Sequence, residues 1–371
     1  MWIGRLPALA AVFVIAGGIT SAGPAALAAG SASTTIAPGT SALTAGSPST
    51  GFPAASAPTA GSPAAAGAKR LCGTRAGRKP RIKKVIWIFM ENRSFGKHAG
   101  QIPGDPSAKY IKRLIRHCGS TSNYHAVTHP SFPNYLAATS GGLHGDGRMH
   151  TYRVRSIFSQ VDPSWRSYQE FMPRRCDRDP QVGSPATGHY YVNRHNPAVF
   201  YRSSPVHGDC KKFDRPLGTA ASGALLRAVK IGKLPRFSLI TPGLCNDMHK
   251  LPEGVKGCAD PTAHGDAWLA TWIPIITAGR DYRKGHLVID IVWDEGNGGK
   301  LGAKCLHSSA ANCIVANIVI SPYTRHKVSS TDFSHYSLLK MTEKLLRVHY
   351  LGRAASPGTR NLCRPFGLCP G

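Results

Sequence analysis

Four short apolar runs, rich in β-branched and aromatic residues, are spaced along the chain at 85–90, 236–241, 286–293 and 314–321. Unbroken runs of this length are typical of strands that are buried on both faces of a sheet. The spacing of apolar positions elsewhere predicts helices at 107–117, 219–229, 267–278 and 335–348. Strands that alternate with helices indicate an α/β domain whose sheet is largely parallel and covered on both faces.

The stretch at 142–215 lacks this regular pattern. It is rich in Gly, Pro, His, Arg and aromatic residues. We expect it to form insertions above the scaffold.

Polar clusters follow three of the predicted strands. They are Glu91-Asn92, Asn246-Asp247 and Asp294-Glu295. In open α/β sheets, ligands bind beyond the carboxyl ends of the strands. Carboxylates that converge there repel one another unless a cation lies among them. A single pair of this kind is explained as a helix cap or turn, but several at strand ends favour a site.

The four residues that we expect to bind one divalent metal ion are Glu91, Asn92, Asp294 and Glu295. Their side chains supply hard oxygen ligands, which suit such an ion.

The segment at 129–141, His-Pro-Ser-Phe-Pro-Asn-Tyr followed by small residues, contains the candidate nucleophile. Ser131 offers a hydroxyl and Asn134 an amide, and two prolines flank the serine. The small residues predict a helix that begins at the hydroxyl, where free N–H groups and the helix dipole favour an anion. The alternative is a serine that only caps the helix.

Three of the 16 histidines have an informative context. His249 follows the Asn246-Asp247 cluster, His335 opens the last predicted helix, and His195 lies in the irregular stretch. Each is able to donate to a phosphate oxygen, bind a metal or protonate a leaving group. We expect His249 and His335 to be catalytic, and His195 and Asp247 to bind substrate.

The N-terminal part of the chain has the features of an export signal and a tether. Arg5, an apolar run and small residues near 25–29 predict a signal peptide at 1–29. The segment at 30–71 is almost entirely Ser, Thr, Ala, Gly and Pro, and predicts a disordered linker. The folded domain is then expected at 72–371, and the protein is expected to be secreted, either extracellular or associated with a cell wall.

The ten cysteines all fall in this expected domain. An even number in an exported chain predicts disulfides. Short loops make Cys245–Cys258, Cys305–Cys313 and Cys363–Cys369 plausible pairs, although sequence alone does not fix the connectivity.

The net charge of +27 favours anionic partners. The basic residues are scattered and do not form one stripe interleaved with aromatic residues, so charge alone does not predict specific nucleic-acid binding. The partners that we expect are a phosphate-ester substrate and an anionic lipid or wall polymer.

Taken in order, five segments resemble the bacterial phosphoesterase family of acid phosphatases and phospholipases C, within the alkaline phosphatase superfamily. They are 90–95, 129–141, 244–249, 293–296 and 335–339. The resemblance covers roughly 84–346. It implies a doubly wound α/β/α sandwich with a mostly parallel central sheet. It also places the family's nucleophile on Ser131 and its phosphoryl-binding amide on Asn134.

The same resemblance implies the metal site. The family's Glu and Asn ligands fall on Glu91 and Asn92, and its acidic pair falls on Asp294 and Glu295. The two-metal phosphatases of the superfamily have an Asp-His pair where this chain has Asp294-Glu295. This difference favours one divalent ion, with Zn, Ca, Mg and Mn all left open.

The resulting hypothesis is a secreted, metal-dependent phosphoesterase that works through a phosphoseryl intermediate, with acid phosphatase activity expected first. A phospholipase C or another phosphodiesterase is the alternative within the same chemistry. An exported, non-catalytic module that binds a wall or other anionic polymer is the alternative of another class. That module would explain the charge and the linker, but not the polar residues at matched strand ends.

Overall fold

The computed structural model describes residues 71–145, 147–202 and 206–369. The expected signal peptide at 1–29 lies outside these residues. So does the expected linker at 30–71, apart from Leu71. The other described residues all belong to the expected domain at 72–371.

The described part of the chain forms thirteen strands. They are β1 (Lys84–Met90), β2 (Phe95–Gly96), β3 (Ile102–Pro103), β4 (Gly119–His125), β5 (Trp165–Gln169), β6 (Gln181–Ser184), β7 (His189–Val192), β8 (Asp214–Pro216), β9 (Phe237–Thr241), β10 (Leu287–Trp293), β11 (Ile314–Ile320), β12 (Lys327–Ser329) and β13 (Phe333–Ser334).

Eight α-helices are present in the same residues. They are α1 (Lys109–His117), α2 (Ser131–Ser140), α3 (Ile157–Gln160), α4 (Val206–Phe213), α5 (Ala224–Ile231), α6 (Pro261–Ala278), α7 (Arg280–Arg283) and α8 (His335–Leu346). Short 3-10 helices include Asn193–His195 and Pro197–Phe200.

Nine of the strands form one central sheet. Its order is β12-β4-β11-β10-β1-β9-β5-β8, and β13 also pairs with β4. Neighbouring strands are parallel except where β11 pairs with β10 and with β4. The expectation of a mostly parallel sheet is therefore confirmed.

Helices cover both faces of the sheet. On one face, the indole nitrogen of Trp87 donates to Thr342 Oγ1 of α8 at 2.9 Å, and the ring of Phe89 lies 4.7 Å from that of Tyr135 in α2. On the other face, Gly265 of α6 approaches so closely that a Cβ there would lie 3.0 Å from Met90 Cε. This gives the expected α/β/α sandwich.

The four apolar runs all form strands of this sheet, as β1, β9, β10 and β11. The six residues of β1 after Lys84 and all seven of β10 are buried, as their unbroken apolar character predicts. Each large apolar side chain buried in this way contributes about 1.5–3 kcal/mol to folding. Burial of these residues therefore stabilises the sheet and also determines where its carboxyl-terminal edge lies.

The structure differs from the predicted pattern in three places. Helix α6 begins at Pro261 rather than near 267, because Asp260 caps it by accepting from Ala263 N at 2.9 Å. Helix α5 begins at Ala224 rather than 219.

The third difference is in the stretch at 142–215, where the expectation of irregular insertions is wrong in part. Strands β5 and β8, both inside that stretch, belong to the central sheet.

Five disulfides close loops within the described residues. They are Cys72–Cys118, Cys176–Cys210, Cys245–Cys258, Cys305–Cys313 and Cys363–Cys369. The three expected short-range pairs are confirmed. Among the described residues, no helix is both long and apolar enough to span a membrane.

Candidate active site

The carboxyl ends of β1 and β10 bring two acidic residues together. Register pairs Met90 with Trp293, the last residues of the two strands. Glu91 and Asp294 follow directly and are fully buried. Asn92 N donates to Asp294 Oδ1 at 3.0 Å, which ties the two strand ends to each other.

A third acidic residue joins them from the loop after β9. Glu91 N donates to the backbone oxygen of Asp247 at 2.7 Å, and Asp247 is also fully buried. The expectation that polar clusters at three strand ends converge is therefore confirmed for these residues.

Helix α2 supplies two hydroxyls to Glu91. Ser131 is the first residue of the helix, as expected, and Ser131 Oγ donates to Glu91 Oε2 at 3.0 Å. Tyr135 lies four residues later on the same helical face, and its hydroxyl donates to Glu91 Oε1. Both oxygens of this buried carboxylate are thus held by one helix.

His195 lies between two of the acidic residues. Its Nδ1 is 3.1 Å from Asp247 Oδ2, and its Nε2 is 3.3 Å from Glu91 Oε1 without forming a hydrogen bond. The imidazole stacks on the ring of Tyr135, with centroids 5.7 Å apart. Burial lowers the pKa of His195 well below its ordinary value, which favours a neutral ring that is able to ligate a metal.

Burying these carboxylates close together is electrostatically unfavourable, and the residues of the cluster do not offset the repulsion. Burial, followed by the charges of Asp294 and Asp247, raises the pKa of Glu91 well above its ordinary value. Burial and the charge of Glu295 raise the pKa of Asp294 to about 7. Asp294 Oδ2 is buried without a hydrogen-bond partner among the described residues.

These residues fit a divalent cation. One ligand atom from each of Glu91, His195 and Asp247 lies within 4.8 Å of the others. Buried carboxylates and an orphaned carboxylate oxygen are groups that a hard cation satisfies. An imidazole nitrogen in the set is compatible with Zn or Mn as well.

Asn134 and Glu295 form a second group beside this one. Asn134 Oδ1 accepts from the backbone nitrogens of Val127 and Thr128 at 2.8 and 3.1 Å. Its Nδ2 donates to Thr128 O at 2.7 Å and to Glu295 Oε2 at 3.3 Å. Asn134 therefore orders the loop that leads to Ser131, and its phosphoryl contact remains a prediction.

Glu295 is also paired with a histidine that the sequence had not singled out. His129 Nδ1 lies 3.0 Å from Glu295 Oε2, and its Nε2 lies 3.1 Å from Asn312 O. This pairing orients Glu295 within the buried group. Its role as a metal ligand remains a prediction.

The two other expected histidines lie in different settings. His335 is fully buried, with Nε2 2.7 Å from Asp294 O and Nδ1 3.2 Å from the hydroxyl of Tyr124. Burial lowers the pKa of His335 to about 4. His335 therefore fixes the backbone of Asp294 through this hydrogen bond.

His249 lies beside the cluster and is partly exposed. Its backbone nitrogen donates to Asp247 Oδ1 at 2.7 Å, and its ring lies 5.8 Å from that of His195. Its Nδ1 hydrogen-bonds to Lys250 O at 2.7 Å. A further hydrogen bond from the ring would therefore be made by Nε2. Burial lowers the pKa of His249.

Sequence reasoning missed Tyr135 and His129 as site residues. The signal for Tyr135 was its spacing of four residues from Ser131 on a predicted helix, which places both hydroxyls on one face. No comparable signal identified His129, because its partner Glu295 is distant in sequence and meets it only in the folded chain.

Several known proteins are similar to this chain in sequence or fold. A family model described as the Phosphoesterase family matches residues 105–349. A phosphate-repressible acid phosphatase of Penicillium chrysogenum is 25% identical over 283 residues, which cover 73% of this chain and 60% of that protein. A phosphatidylinositol-3-phosphatase of Mycobacterium tuberculosis is 25% identical over 297 residues, 78% of this chain and 85% of that protein.

This chain therefore spans about 60% of the length of the Penicillium relative. Among solved structures, a protein of the alkaline phosphatase superfamily from Vibrio parahaemolyticus aligns with a TM-score of 0.47 and 11% identity. The alignment covers 77% of this chain and 72% of that one.

Proposed function

This chain belongs to the Phosphoesterase family, and from that premise we propose that it hydrolyses phosphate monoesters with Ser131 as the nucleophile. One observation carries the proposal. Ser131 Oγ lies at the start of a helix and donates to Glu91, a buried carboxylate in a cluster of acidic residues at the carboxyl edge of the sheet. An acidic cluster with a hydroxyl directed into it is suited to activating that hydroxyl.

In the first step, Ser131 Oγ attacks phosphorus. A bond forms between Oγ and phosphorus, the bond from phosphorus to the leaving oxygen breaks, and the serine proton passes toward Glu91. The product is a phosphoseryl intermediate. In the second step, water attacks phosphorus and gives up a proton to His249, the bond to Oγ breaks, Oγ takes back its proton from Glu91, and inorganic phosphate leaves.

One divalent metal ion completes the site in this proposal. The residues that would hold it are Glu91, Asn92, Asp294 and Glu295, as expected from the sequence. We add Asp247 and His195, for which the sequence predicted substrate binding instead, because their ligand atoms lie close to that of Glu91. Bound there, a divalent ion lowers the pKa of a hydroxyl and polarises a phosphoryl group.

His249 and His335 have different roles in this proposal. His249, which is partly exposed beside the cluster, donates a proton to the leaving oxygen. His335 acts through Asp294, whose backbone it fixes. Asn134 orders the loop before Ser131 and, in exchange for its 3.3 Å hydrogen bond to Glu295, donates to a phosphoryl oxygen together with the first N–H groups of α2.

Monoesters are the favoured substrates. The fungal relative is an acid phosphatase and the mycobacterial one a phosphatidylinositol-3-phosphatase by name. We also infer export from the cell, which five disulfides in the described residues support.

Hydrolysis of a chromogenic phosphate monoester and of the matching diester, with and without chelator, tests the proposal. The expected result is turnover of the monoester that chelator removes and added metal restores. Ser131→Ala should abolish it, while Ser140→Ala at the other end of the same helix should not. A preference for the diester would indicate phosphodiesterase or phospholipase C activity instead of phosphatase activity. No turnover of either ester would favour a binding module.

A further inference from the structure

A cationic groove lies at the end of the sheet opposite the candidate active site. Lys84, Arg236 and His286 line it, and they stand at or just before the starts of β1, β9 and β10. These strands are parallel, and Glu91 and Asp294 follow the far ends of two of them. Seven strand residues at about 3.3 Å each place roughly 20 Å between the two ends. The groove is therefore a surface separate from the active site.

Six Lys and Arg side chains line the groove, and no acidic residue does so among those that the structure describes. The six are Lys79, Arg81, Lys83, Lys84, Arg236 and Arg347. Lys84 is neutralised by Asp281 at 2.8 Å, and Arg236 donates to Leu346 O. The other four are exposed and form no ion pair with any described residue.

The convergence of these charges is unfavourable for the protein alone. Like charges that gather without counterions repel, and an anion that lies among them relieves that repulsion. After burial, the charge of Lys83 is the next cause that lowers the pKa of His286, as expected beside a positive field. The groove thus favours an anionic occupant.

The shape of the groove indicates which kind of anion it suits. It has a volume of ≈ 720 Å³. Its floor includes Leu345, Leu346 and Leu368, which are 5%, 2% and 0% exposed. Because these leucines are buried, they do not protrude to insert into a lipid bilayer. The lining thus combines cationic side chains with an apolar surface that stays inside the protein, which suits an anion bound from solution rather than a membrane.

The lining also argues against nucleic acid. Binding of single-stranded nucleic acid uses aromatic side chains on which bases stack. No Phe, Tyr or Trp is among the described residues that line this groove. The observations favour a polyanion that has no bases.

We propose that this groove, hereafter the basal groove, binds a linear polyol phosphate polymer, in which each repeat carries one negative charge. Neutralisation of successive phosphates by the rim cations releases counterions and supplies the affinity. Since the groove lies at the opposite end of the sheet, the bound protein keeps its candidate active site accessible. The inference does not depend on the activity proposed for Ser131.

Binding of poly(glycerol phosphate), measured over a range of salt concentrations, tests the proposal. The protein is the full chain with Ser131→Ala, so that the probe is not cleaved. The groove variant carries Lys79→Gln, Lys83→Gln and Arg347→Gln. The control carries Lys256→Gln, Lys300→Gln and Lys304→Gln, which remove the same charge from exposed positions in the loops after β9 and β10.

The groove variant is expected to bind at least tenfold more weakly near 0.1 M salt, and the control less than threefold more weakly. The slope of log K against log salt should fall in magnitude by about 2 in the groove variant, since each lost phosphate contact removes about 0.7. Equal losses in the two variants would show general attraction to a cationic protein and overturn the proposal.

Two further experiments distinguish a polyol phosphate polymer from other anionic ligands, and the basal groove from the candidate active site. Tighter binding of a single-stranded oligonucleotide of equal charge, or of anionic lipid vesicles, would overturn the assignment of a polyol phosphate polymer. The three groove substitutions in a chain that retains Ser131 should leave monoester hydrolysis unchanged. Loss of hydrolysis in that chain would contradict the separation of the groove from the active site.

Discussion

Ser131 and Tyr135, four residues apart on α2, hold the two oxygens of the same buried carboxylate. Ser131 Oγ donates to Glu91 Oε2 at 3.0 Å, and the hydroxyl of Tyr135 donates to Glu91 Oε1. The position of the proposed nucleophile is therefore coupled to that of a proposed metal ligand. A residue outside the expected catalytic set fixes the second oxygen of that ligand.

Tyr135→Phe should lower kcat by about 10- to 100-fold and weaken metal binding, with little change in the fold. A hydrogen bond to a charged group contributes about 1.5–3 kcal/mol, and each 1.4 kcal/mol is about tenfold in rate. Steady-state kinetics and calorimetric titration of the metal-free protein measure the two effects.

Tyr201→Phe is the matched control, because its buried hydroxyl lies 2.6 Å from Thr139 Oγ1 of the same helix. Equal metal affinity in Tyr135→Phe and the unaltered protein would contradict a role for Tyr135 in positioning Glu91.

His249→Gln should slow hydrolysis in a way that depends on the leaving group. The leaving oxygen of an aryl phosphate with an acidic phenol needs little protonation, whereas the leaving oxygen of an alkyl phosphate needs much. We expect a loss below about tenfold for the aryl ester and of about 10²–10⁴-fold for the alkyl ester. Parallel losses for both esters, measured as kcat/KM, would show that His249 does not act as the acid.

Asp294→Asn should weaken metal binding and yet stabilise the metal-free protein. Burial, and then the charge of Asp294, raise the pKa of Glu91. The amide removes one of these two buried, mutually repelling charges. Thermal unfolding with chelator and with added metal measures the effect. The variant should have the higher Tm in chelator and the smaller rise in Tm on metal addition. A lower Tm in chelator would contradict the account of the cluster as a site that requires a cation.

Glu343→Gln should make the protein more stable at neutral pH. Glu343 is buried in α8, and one oxygen accepts from Leu351 N at 2.9 Å. Burial raises its pKa from 4.5 to about 8. The folded state then holds a proton that the unfolded state releases, so stability falls as pH rises from about 4.5 to about 8, by at most about 1.4 kcal/mol per pH unit.

The glutamine retains an acceptor for Leu351 N and has no charge to bury. Its free energy of unfolding, from urea titration at several pH values, should decline less across that window. The exposed Glu253→Gln serves as the control. The same pH slope in Glu343→Gln and the unaltered protein would refute this assignment.

The sequence predicted the centre of the fold better than its edges. Strands β1 and β10 are continuous apolar runs, so both their burial and the position of the residues that follow them are visible in the sequence. Strand β4 is Gly-Ser-Thr-Ser-Asn-Tyr-His, which has no strand pattern of its own. It becomes a strand because its backbone groups pair with β11, β12 and β13.

The candidate site shows the same division. Glu91, Asp294 and Ser131 were predicted because each directly follows or begins a recognisable element. The position of His195 between Glu91 and Asp247 was not visible, because it depends on how an irregular segment folds over the sheet edge. Contacts between residues distant in sequence arise from tertiary packing, which a local pattern does not encode.

Trapping of the phosphorylated enzyme tests the central claim most directly. The protein is mixed with a phosphate monoester labelled in its phosphoryl group, quenched in acid within the first turnover, digested and sequenced by mass spectrometry. The account predicts that the label is on Ser131, appears before free phosphate, and is absent in Ser131→Ala. Label on another residue, or full turnover by Ser131→Ala, would contradict it.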